Sequence, residues 1–125
     1  MIVLDTDVLI EIFDKNSTKG REALRKIIEK GEPICITVIT LQVLYGLSKY
    51  AKLVKDVLRL PVLNYKKEDV ILASELELKT ERRGKPVRRT DTMIAAMMIN
   101  NNAKLYTFNT KHFKPLEEHG LKLLQ

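Results

Sequence analysis

The sequence contains very little cysteine and no long apolar segment. Cys35 is the only cysteine among 125 residues, which excludes an internal disulfide and a zinc site built from cysteines. It lies between two isoleucines in the segment 34–36, and we interpret it as a buried, inert thiol. Asp5 interrupts the first apolar segment too early for a signal peptide, and no segment is long enough to span a bilayer. We therefore expect a cytoplasmic protein that has no membrane partner.

The sequence also lacks linkers, internal repeats and low-complexity segments. Its length and its hydrophobic fraction of 45% suit one globular domain covering residues 1–125. No glycine-rich loop follows the first apolar segment, which argues against a flavodoxin-like phosphate-binding domain. The net charge is +6 and the isoelectric point is about 9.5. This charge indicates a polyanionic partner such as nucleic acid, although a small protein can also be basic for solubility alone.

Helix and strand patterns alternate along the whole chain. Short apolar runs predict strands, which are residues 1–4, 34–37, 61–63, 104–107 and 121–124. Helical spacing of apolar residues predicts helices, which are residues 8–13, 18–30, 41–58, 67–83 and 91–100. The alternation predicts an α/β fold with a central parallel sheet of four to five strands, flanked by helices on both faces. Right-handed crossovers are the expected connections.

Polar residues suggest where the predicted helices begin. The expected N-caps are Ser17 or Thr18, Thr40 and Thr90, and Gly31 is expected to end the second helix. The inward-facing positions of the long helix follow from its apolar spacing and are Val70, Ile71, Ala73, Leu76 and Leu78. The preceding helix has an apolar face that belongs to the core or to a surface between subunits, and its members are Leu41, Leu44 and Leu47.

Two aspartates lie where a parallel sheet places its functional groups. Asp5 follows the first strand, and the carboxyl ends of such strands form the ligand-binding edge of open α/β sheets. Asp91 opens an apolar helix, so its carboxylate is expected at the rim of the core. An aspartate can also simply stabilise a helix N-terminus, and this is our interpretation of Asp7. For Asp5 and Asp91 we predict that the two carboxylates share one divalent cation.

Basic residues are concentrated immediately before Asp91. Residues 79–89 contain six lysines and arginines, opposed only by Glu81. A solvated helix end explains such charge in part, because cations are favoured at a helix C-terminus. Arginine also binds phosphate through its planar fork of donors. The residues predicted to contact nucleic acid are Arg83, Lys85, Arg88 and Arg89, together with Thr107.

Several segments taken together give the chain a resemblance to the PIN-domain family, particularly to its small VapC-type toxins. The matching segments are Val3–Asp7, Ile36–Leu41, Leu44–Gly46, Arg83–Val87, Asp91 with Ile94–Ala96, and Leu105–Asn109 with His112 and Phe113. Their order and spacing hold along essentially the whole chain. Each segment alone is a weak signal, whereas the set is fairly specific.

The resemblance implies an acidic cluster that binds Mg²⁺ or Mn²⁺ and hydrolyses RNA. Asp5 and Asp91 match the first and third acidic positions and are the implied metal ligands. Asn109 matches the fourth position, where asparagine is a familiar variant. The second position is normally a glutamate four residues before Gly46, and this sequence has Gln42 there. The implied catalytic set is therefore Asp5, Gln42, Asp91 and Asn109.

Gln42 keeps a carbonyl oxygen but lacks the charge of a carboxylate. Mg²⁺ usually binds one or two carboxylates plus waters, so Asp5 and Asp91 meet the minimum. The neighbouring register offers only Val43, which cannot bind a metal. A further acid would have to be brought in by the fold, and the two possibilities are Glu11 and Glu75.

The predicted function is a metal-dependent endoribonuclease that is the toxin of a toxin–antitoxin pair. Its predicted partners are RNA, a cognate antitoxin and a second copy of the chain in a homodimer. In the predicted mechanism Asn109 and Gln42 orient water, and Thr107 supports the site. The alternative is a PIN fold that has lost catalysis and binds RNA or a protein, and Gln42 is the reason for considering it.

Overall fold

A five-stranded parallel sheet forms the centre of the structure, a computed structural model that describes residues 1–125. The strands are β1 (Ile2–Leu4), β2 (Ile34–Thr37), β3 (Val62–Leu63), β4 (Lys104–Tyr106) and β5 (Lys122–Leu123). Their order across the sheet is β3-β2-β1-β4-β5, and every neighbouring pair is parallel. The predicted α/β fold is confirmed, and each predicted strand is present.

Helices connect the strands and cover both faces of the sheet. The α-helices are α1 (Thr6–Leu9), α2 (Thr18–Lys30), α3 (Val38–Tyr45), α4 (Ala51–Val57), α5 (Lys67–Arg82), α6 (Arg89–Asn100) and α7 (Thr110–Phe113). A π-helical segment, Ile10–Asp14, continues α1, and 3-10 turns cover Ser48–Tyr50 and Lys114–His119. Successive residues of β1 point to opposite faces. Val3 therefore packs in one core cluster with α5 and α6, whereas Ile2 and Leu4 pack in a second with α2 and α4.

The third helix differs from its prediction at both ends. Thr37 is its N-cap rather than Thr40, because the Thr37 hydroxyl accepts a hydrogen bond from the Thr40 backbone N–H at 3.2 Å. The helix ends before Gly46, and the backbone is extended at Leu47. The continuous helix predicted for residues 41–58 is therefore wrong. Glycine favours such a break, since it is less favourable than alanine in a helix by about 1 kcal/mol.

The predicted cap of α6 is also wrong. Arg88 takes the N-cap position with an extended backbone (φ −58°, ψ 146°), and Thr90 lies inside the helix. The prediction for α2 is confirmed, because the Ser17 hydroxyl accepts from the Gly20 N–H at 2.9 Å. The earlier start of α6 makes Asp91 the third residue of its first turn.

Part of the apolar face predicted for α5 is exposed. Val70, Ile71 and Leu78 are 45%, 52% and 51% exposed, whereas Ala73 and Leu76 are buried as predicted. The helix packs mainly against α6, so only a narrow stripe of its surface meets the core. The sequence pattern therefore predicted more buried surface on α5 than the structure has.

Two further features of the structure are the burial of the Cys35 thiol and the length of the helices. Cys35 is buried as predicted, and burial raises the pKa of its thiol, which keeps it protonated and unreactive. No helix combines the length and the apolar character that crossing a membrane requires.

Candidate active site

A cleft of about 330 Å³ opens at the carboxyl ends of β1 and β4. Its polar lining includes side chains from three separate parts of the chain, namely Asp5, Asp7, Asp91 and Asn109. The sheet explains this convergence, because β1 and β4 are parallel neighbours and end at the same edge. The structure thus brings together Asp5, Asp91 and Asn109, which the sequence placed in one catalytic set.

Asp5 is fixed by hydrogen bonds to both of its carboxylate oxygens. Oδ1 accepts from the Thr6 backbone N–H at 2.9 Å, which makes Asp5 the N-cap of α1. Oδ2 accepts from the Thr107 hydroxyl at 2.8 Å. That hydroxyl in turn accepts from the Asn109 backbone N–H at 3.1 Å. The carboxylate therefore has a defined orientation before any ligand binds.

Thr107 has a different role from the predicted one. Its side chain is buried, and its hydroxyl is used by Asp5 and the Asn109 backbone. It therefore orients Asp5 and does not offer a surface to nucleic acid. The prediction that Thr107 supports the site agrees with this arrangement, whereas its predicted contact with nucleic acid does not.

The cleft disfavours negative charge that has no cation beside it. Burial, together with the charge of Asp7 and to a smaller extent that of Asp91, raises the pKa of Asp5 to about 6. Burial also raises the pKa of Asp7. A positive ion between these side chains would favour their ionised forms and lower both pKa values.

Asp7 is the residue that sequence interpretation missed. Its Oδ2 accepts from the Phe108 backbone N–H at 3.0 Å, whereas its Oδ1 is buried without a hydrogen-bond partner. The side chain therefore ties the start of α1 to the segment after β4 and leaves one oxygen unsatisfied. The sequence did contain a signal for this role, namely that Asp7 is only two residues after Asp5. A helix begins directly after the strand here, so both carboxylates lie at the same edge of the sheet.

Asp91 is engaged by an arginine of its own helix start. Arg88 donates from Nε to Asp91 Oδ2 at 3.0 Å and from Nη2 to Oδ1 at 3.4 Å. The same Nη2 lies 3.1 Å from Nδ1 of His112. Asp91 is buried, whereas Arg88 is largely exposed. The guanidinium thus covers the outer side of the carboxylate that the sequence assigned to the metal.

Gln42 does not line the cleft, contrary to the sequence prediction. It is exposed on α3, and the wall of the cleft is formed instead by Ile39, Thr40 and Val43. Positions three and four apart share one face of a helix, which explains why these residues act together. The residue of α3 that faces the acids is therefore Val43, which has no ligand atom.

The basic segment before Asp91 is only partly available to a nucleic acid. Arg83 pairs with Glu118 at 2.7 Å, and Arg89 pairs with Glu77 at 2.9 Å. Of the predicted contacts in this segment, only Arg88 lines the cleft. Lys85 is exposed, forms no ion pair and lies outside the cleft lining.

The donors in the cleft fit a hard divalent cation that is shared with water and substrate. No group of three or more histidine, cysteine, aspartate or glutamate side chains is placed to hold a metal ion by itself. Glu11 is bound to Ser17 and Lys15, and Glu75 is exposed on α5, so neither supplies a further acid. Carboxylate and amide oxygens with room for water are nevertheless what Mg²⁺ accepts. Asp7 has an oxygen without a hydrogen-bond partner, the pKa of Asp5 is raised, and neither residue forms an ion pair, so a cation beside these two carboxylates would be stabilising.

These features define a class of protein, namely a small parallel α/β protein with a carboxylate-lined cleft at the carboxyl edge of its sheet. The PIN domain family model matches residues 2–117. The chain therefore belongs to the PIN domain family.

Two ribonucleases are similar to this chain over most of its length and support the same assignment. Ribonuclease VapC1 of Methanocaldococcus jannaschii is 30% identical over 127 aligned positions, which cover 98% of this chain and 85% of the relative. Ribonuclease VapC2 of Rickettsia felis is 28% identical, with 90% of this chain and 89% of the relative covered.

Solved structures share the fold over nearly the whole chain. The crystal structure of VapBC2 from Rickettsia felis bound to a promoter DNA fragment aligns with a TM-score of 0.77 at 24% identity, covering 99% of this chain and 98% of that chain. DNA-bound VapBC from Salmonella typhimurium aligns with a TM-score of 0.76 at 25% identity, covering 98% and 96%.

Proposed function

We propose that the protein is a divalent-metal-dependent endoribonuclease and the toxin of a toxin–antitoxin pair. The observation that carries this proposal is the cleft in which Asp5 and Asp91 converge from distant parts of the chain. Both named relatives are ribonucleases, and the chain is similar to them over at least 90% of its length. The similar solved structures include a toxin–antitoxin complex from Klebsiella pneumoniae, which supports the second part of the proposal.

In the proposed mechanism Asp5 and Asp91 would hold Mg²⁺ or Mn²⁺. When bound there, such an ion would supply positive charge beside the scissile phosphate and would lower the pKa of a coordinated water. Thr6 and Thr107 keep Asp5 oriented through their hydrogen bonds. Asn109 offers an uncharged polar side chain at the cleft for water or substrate.

Arg88 contributes to the proposed reaction from the rim of the cleft. Its guanidinium lies against Asp91 and is largely exposed to solvent. A planar fork of donors in this position can bind the phosphate of the substrate beside the acidic cluster. Arg88 is therefore the residue of the basic segment that we assign to substrate binding.

The direct test is cleavage of a labelled single-stranded RNA by purified protein. We expect cleavage with Mg²⁺ or Mn²⁺, no cleavage with EDTA, and a loss of at least about a hundredfold in Asp5→Asn and in Asp91→Asn, since each removes a ligand charge. Asp56→Asn is the matched control, because Asp56 is exposed on α4 and does not line the cleft. Activity of Asp5→Asn in the presence of EDTA would refute the mechanism.

Loss of catalysis is the competing outcome. With Val43 at the cleft, α3 contributes no carboxylate to it. Calorimetric titration with Mn²⁺ separates the two functions, because a pocket that has lost its metal gives no heat at millimolar concentration. A binding heat that disappears in Asp5→Asn supports the nuclease.

The proposed partners are a cognate antitoxin and a second copy of the chain. A short open reading frame directly upstream of the gene, whose product copurifies with this chain, would identify the antitoxin. For the homodimer, the end of α3 and the segment after it offer apolar surface beside the core residue Leu44, since Tyr45 and Leu47 are 61% and 42% exposed. A cytoplasmic location stays a prediction from the sequence.

A further inference from the structure

A second cavity, of about 480 Å³, lies between α2 and the segment that follows β4. We call it the α2 groove. Its basic lining consists of Lys19, Arg25, Lys26 and Lys30, and its aromatic lining consists of Tyr106 and Phe108. Two acids, Glu22 and Glu29, also line it, so the four cations leave an excess of two positive charges.

The cations of the α2 groove are free, unlike most arginines of the basic segment before Asp91. None of the four forms an ion pair within 4.0 Å anywhere in the structure. In the basic segment, by contrast, Arg83, Arg88 and Arg89 are each paired with an acid. A phosphate would therefore meet cations in the α2 groove that no acid neutralises, whereas Arg83 and Arg89 are neutralised by Glu118 and Glu77. Arg88 can still contribute to phosphate binding at the cleft through its Nη1 group, which lies outside the contacts with Asp91 and His112.

The aromatic rings of the groove carry cations on their faces. The Lys19 ammonium lies 4.1 Å from the centroid of the Phe108 ring, and that of Lys26 lies 5.4 Å from the centroid of Tyr106. The two rings contact each other edge to face with centroids 5.8 Å apart. Phe108 is half-buried and Tyr106 is buried. Base stacking on an aromatic ring beside a phosphate-binding cation is the usual arrangement for single-stranded nucleic acid.

The α2 groove and the catalytic cleft are connected by one short segment of the chain, residues 107–109. Phe108 lies in the groove, and its neighbours Thr107 and Asn109 serve the cleft. The Phe108 backbone N–H donates to Asp7 at 3.0 Å. A strand that leaves the cleft past Asn109 would enter the groove at Phe108.

We infer that the α2 groove binds the single-stranded RNA segment next to the scissile phosphate, with Lys19 and Lys26 on phosphates and Phe108 stacked on a base. This inference rests on the proposed ribonuclease function, because it names where the substrate of that same cleft runs. On binding, the Lys19 ammonium moves from the ring to a phosphate and leaves the Phe108 face to the base.

The test measures binding without cleavage. Fluorescence anisotropy of a labelled oligouridylate is recorded with the full chain in EDTA over a range of KCl concentrations. In Lys19→Gln/Lys26→Gln, which keeps most of each side chain, we expect weaker binding and a salt slope of log K that is smaller by about 1.4, or about 0.7 for each lost phosphate contact. In Phe108→Leu we expect affinity to fall about fivefold or more, because the ring face is lost.

The matched control is Lys52→Gln/Lys55→Gln, which removes the same charge from exposed positions of α4. We expect it to retain the affinity and the salt slope of the wild type. An unchanged slope in Lys19→Gln/Lys26→Gln, or an equal loss in the control, would overturn the inference. So would a variant that binds oligouridylate normally but loses binding to a polyglutamate peptide, since the groove would then serve an acidic protein segment.

A parallel cleavage assay with Mg²⁺ separates this inference from the proposed function. If the wild type binds oligouridylate through the groove residues but cleaves no RNA, the nuclease proposal is wrong and RNA binding in the α2 groove is supported. If the wild type cleaves RNA and the groove variants bind and cleave as it does, only the inference about the α2 groove is wrong. A wild type that binds no single-stranded RNA refutes both.

Discussion

Asp5 has two roles, because it caps the N-terminus of α1 and also lines the cleft. One of its oxygens caps α1, and the other is held by Thr107 from the far end of the chain. Replacing it by alanine would remove the cap as well as the ligand, at a cost of about 1 kcal/mol for the cap alone. Asparagine is therefore the better probe, since its amide oxygen can still accept a hydrogen bond from the Thr6 N–H.

The raised pKa of Asp5 predicts a pH dependence of stability. Its pKa rises from 3.8 to about 6 on folding, mainly because of burial and the charge of Asp7. The folded state thus binds the proton more tightly, so the contribution of Asp5 is fully present below its unfolded pKa and is lost as the pH rises through about 6. We expect Asp5→Asn to gain stability relative to the wild type between about pH 4 and pH 7.

Urea unfolding of both proteins in EDTA measures this difference at each pH. Asp56→Asn on exposed α4 serves as the control and should follow the wild type at every pH. A difference between Asp5→Asn and the wild type that stays constant from acid to neutral pH would contradict the raised pKa.

Val43 offers a test of which α3 residue faces the metal. We expect Val43→Glu to bind Mn²⁺ about tenfold more tightly than the wild type, because Val43 lines the cleft. Gln42→Glu introduces the same charge one residue away, at a position of α3 that does not line the cleft, and we expect little change in affinity. Calorimetric titration measures both. Tighter binding in Gln42→Glu than in Val43→Glu would show that the bound state uses a different register of α3.

At the scale of elements, α2 lies very close to the π-helical segment after α1. A Cβ atom at Gly20 would lie 2.0 Å from the backbone oxygen of Glu11. Backbone cannot yield as a flexible side chain does, so Gly20→Ala should destabilise the protein by about 3 kcal/mol, the upper range for overpacking. The α2 groove would be displaced with the helix, so oligouridylate binding should weaken as well.

Gly31→Ala is the comparison for this prediction. Gly31 ends α2 at φ 65° with open space around it, so the substitution costs only the left-handed conformation, about 1–2 kcal/mol. Urea denaturation ranks the two variants. If Gly20→Ala is no less stable than Gly31→Ala, the close approach of the two segments is wrong.

The element boundaries show where local signals suffice. Ser17 and Gly31 bound α2 as predicted, because each contact lies within one helical turn. Thr40 and Thr90 are threonines, a residue type that commonly caps helices, and were predicted as N-caps. The N-caps in the structure are instead Thr37 for α3 and Arg88 for α6. The strand that precedes each helix start, or the loop that leads to it, decides which residue has the extended backbone that a cap requires.

At the scale of the whole molecule, the exposed apolar residues at and just after the end of α3 predict self-association. Tyr45→Glu/Leu47→Glu should convert a dimer to a monomer in sedimentation velocity, because a buried charge without a partner is strongly unfavourable. Ile28→Glu is the control, since Ile28 is 69% exposed on α2. A monomeric wild type, or a dimer that survives the double substitution, would exclude this surface.

The sequence does not show which cations are paired with acids on the folded surface. The dense run of residues 79–89 drew attention in the sequence, yet three of its arginines are paired with acids. The cations of α2 are interleaved with glutamates in the sequence, and only the folded helix gathers them beside the aromatic residues after β4. Whether a cation is free depends on its neighbours in space.

The sequence by itself determined the alternation of strands and helices, the parallel sheet and the positions of Asp5 and Asp91 at its carboxyl edge. These follow from hydrophobic period and strand-end polarity, which are local properties of the chain. Only the tertiary structure decided that Val43 rather than Gln42 faces the acids, that Asp7 belongs to the cleft, and that the free cations lie on α2. These depend on helix rotation and on contacts between residues 101 positions apart in the sequence, such as Asp7 with Phe108, which no local pattern encodes.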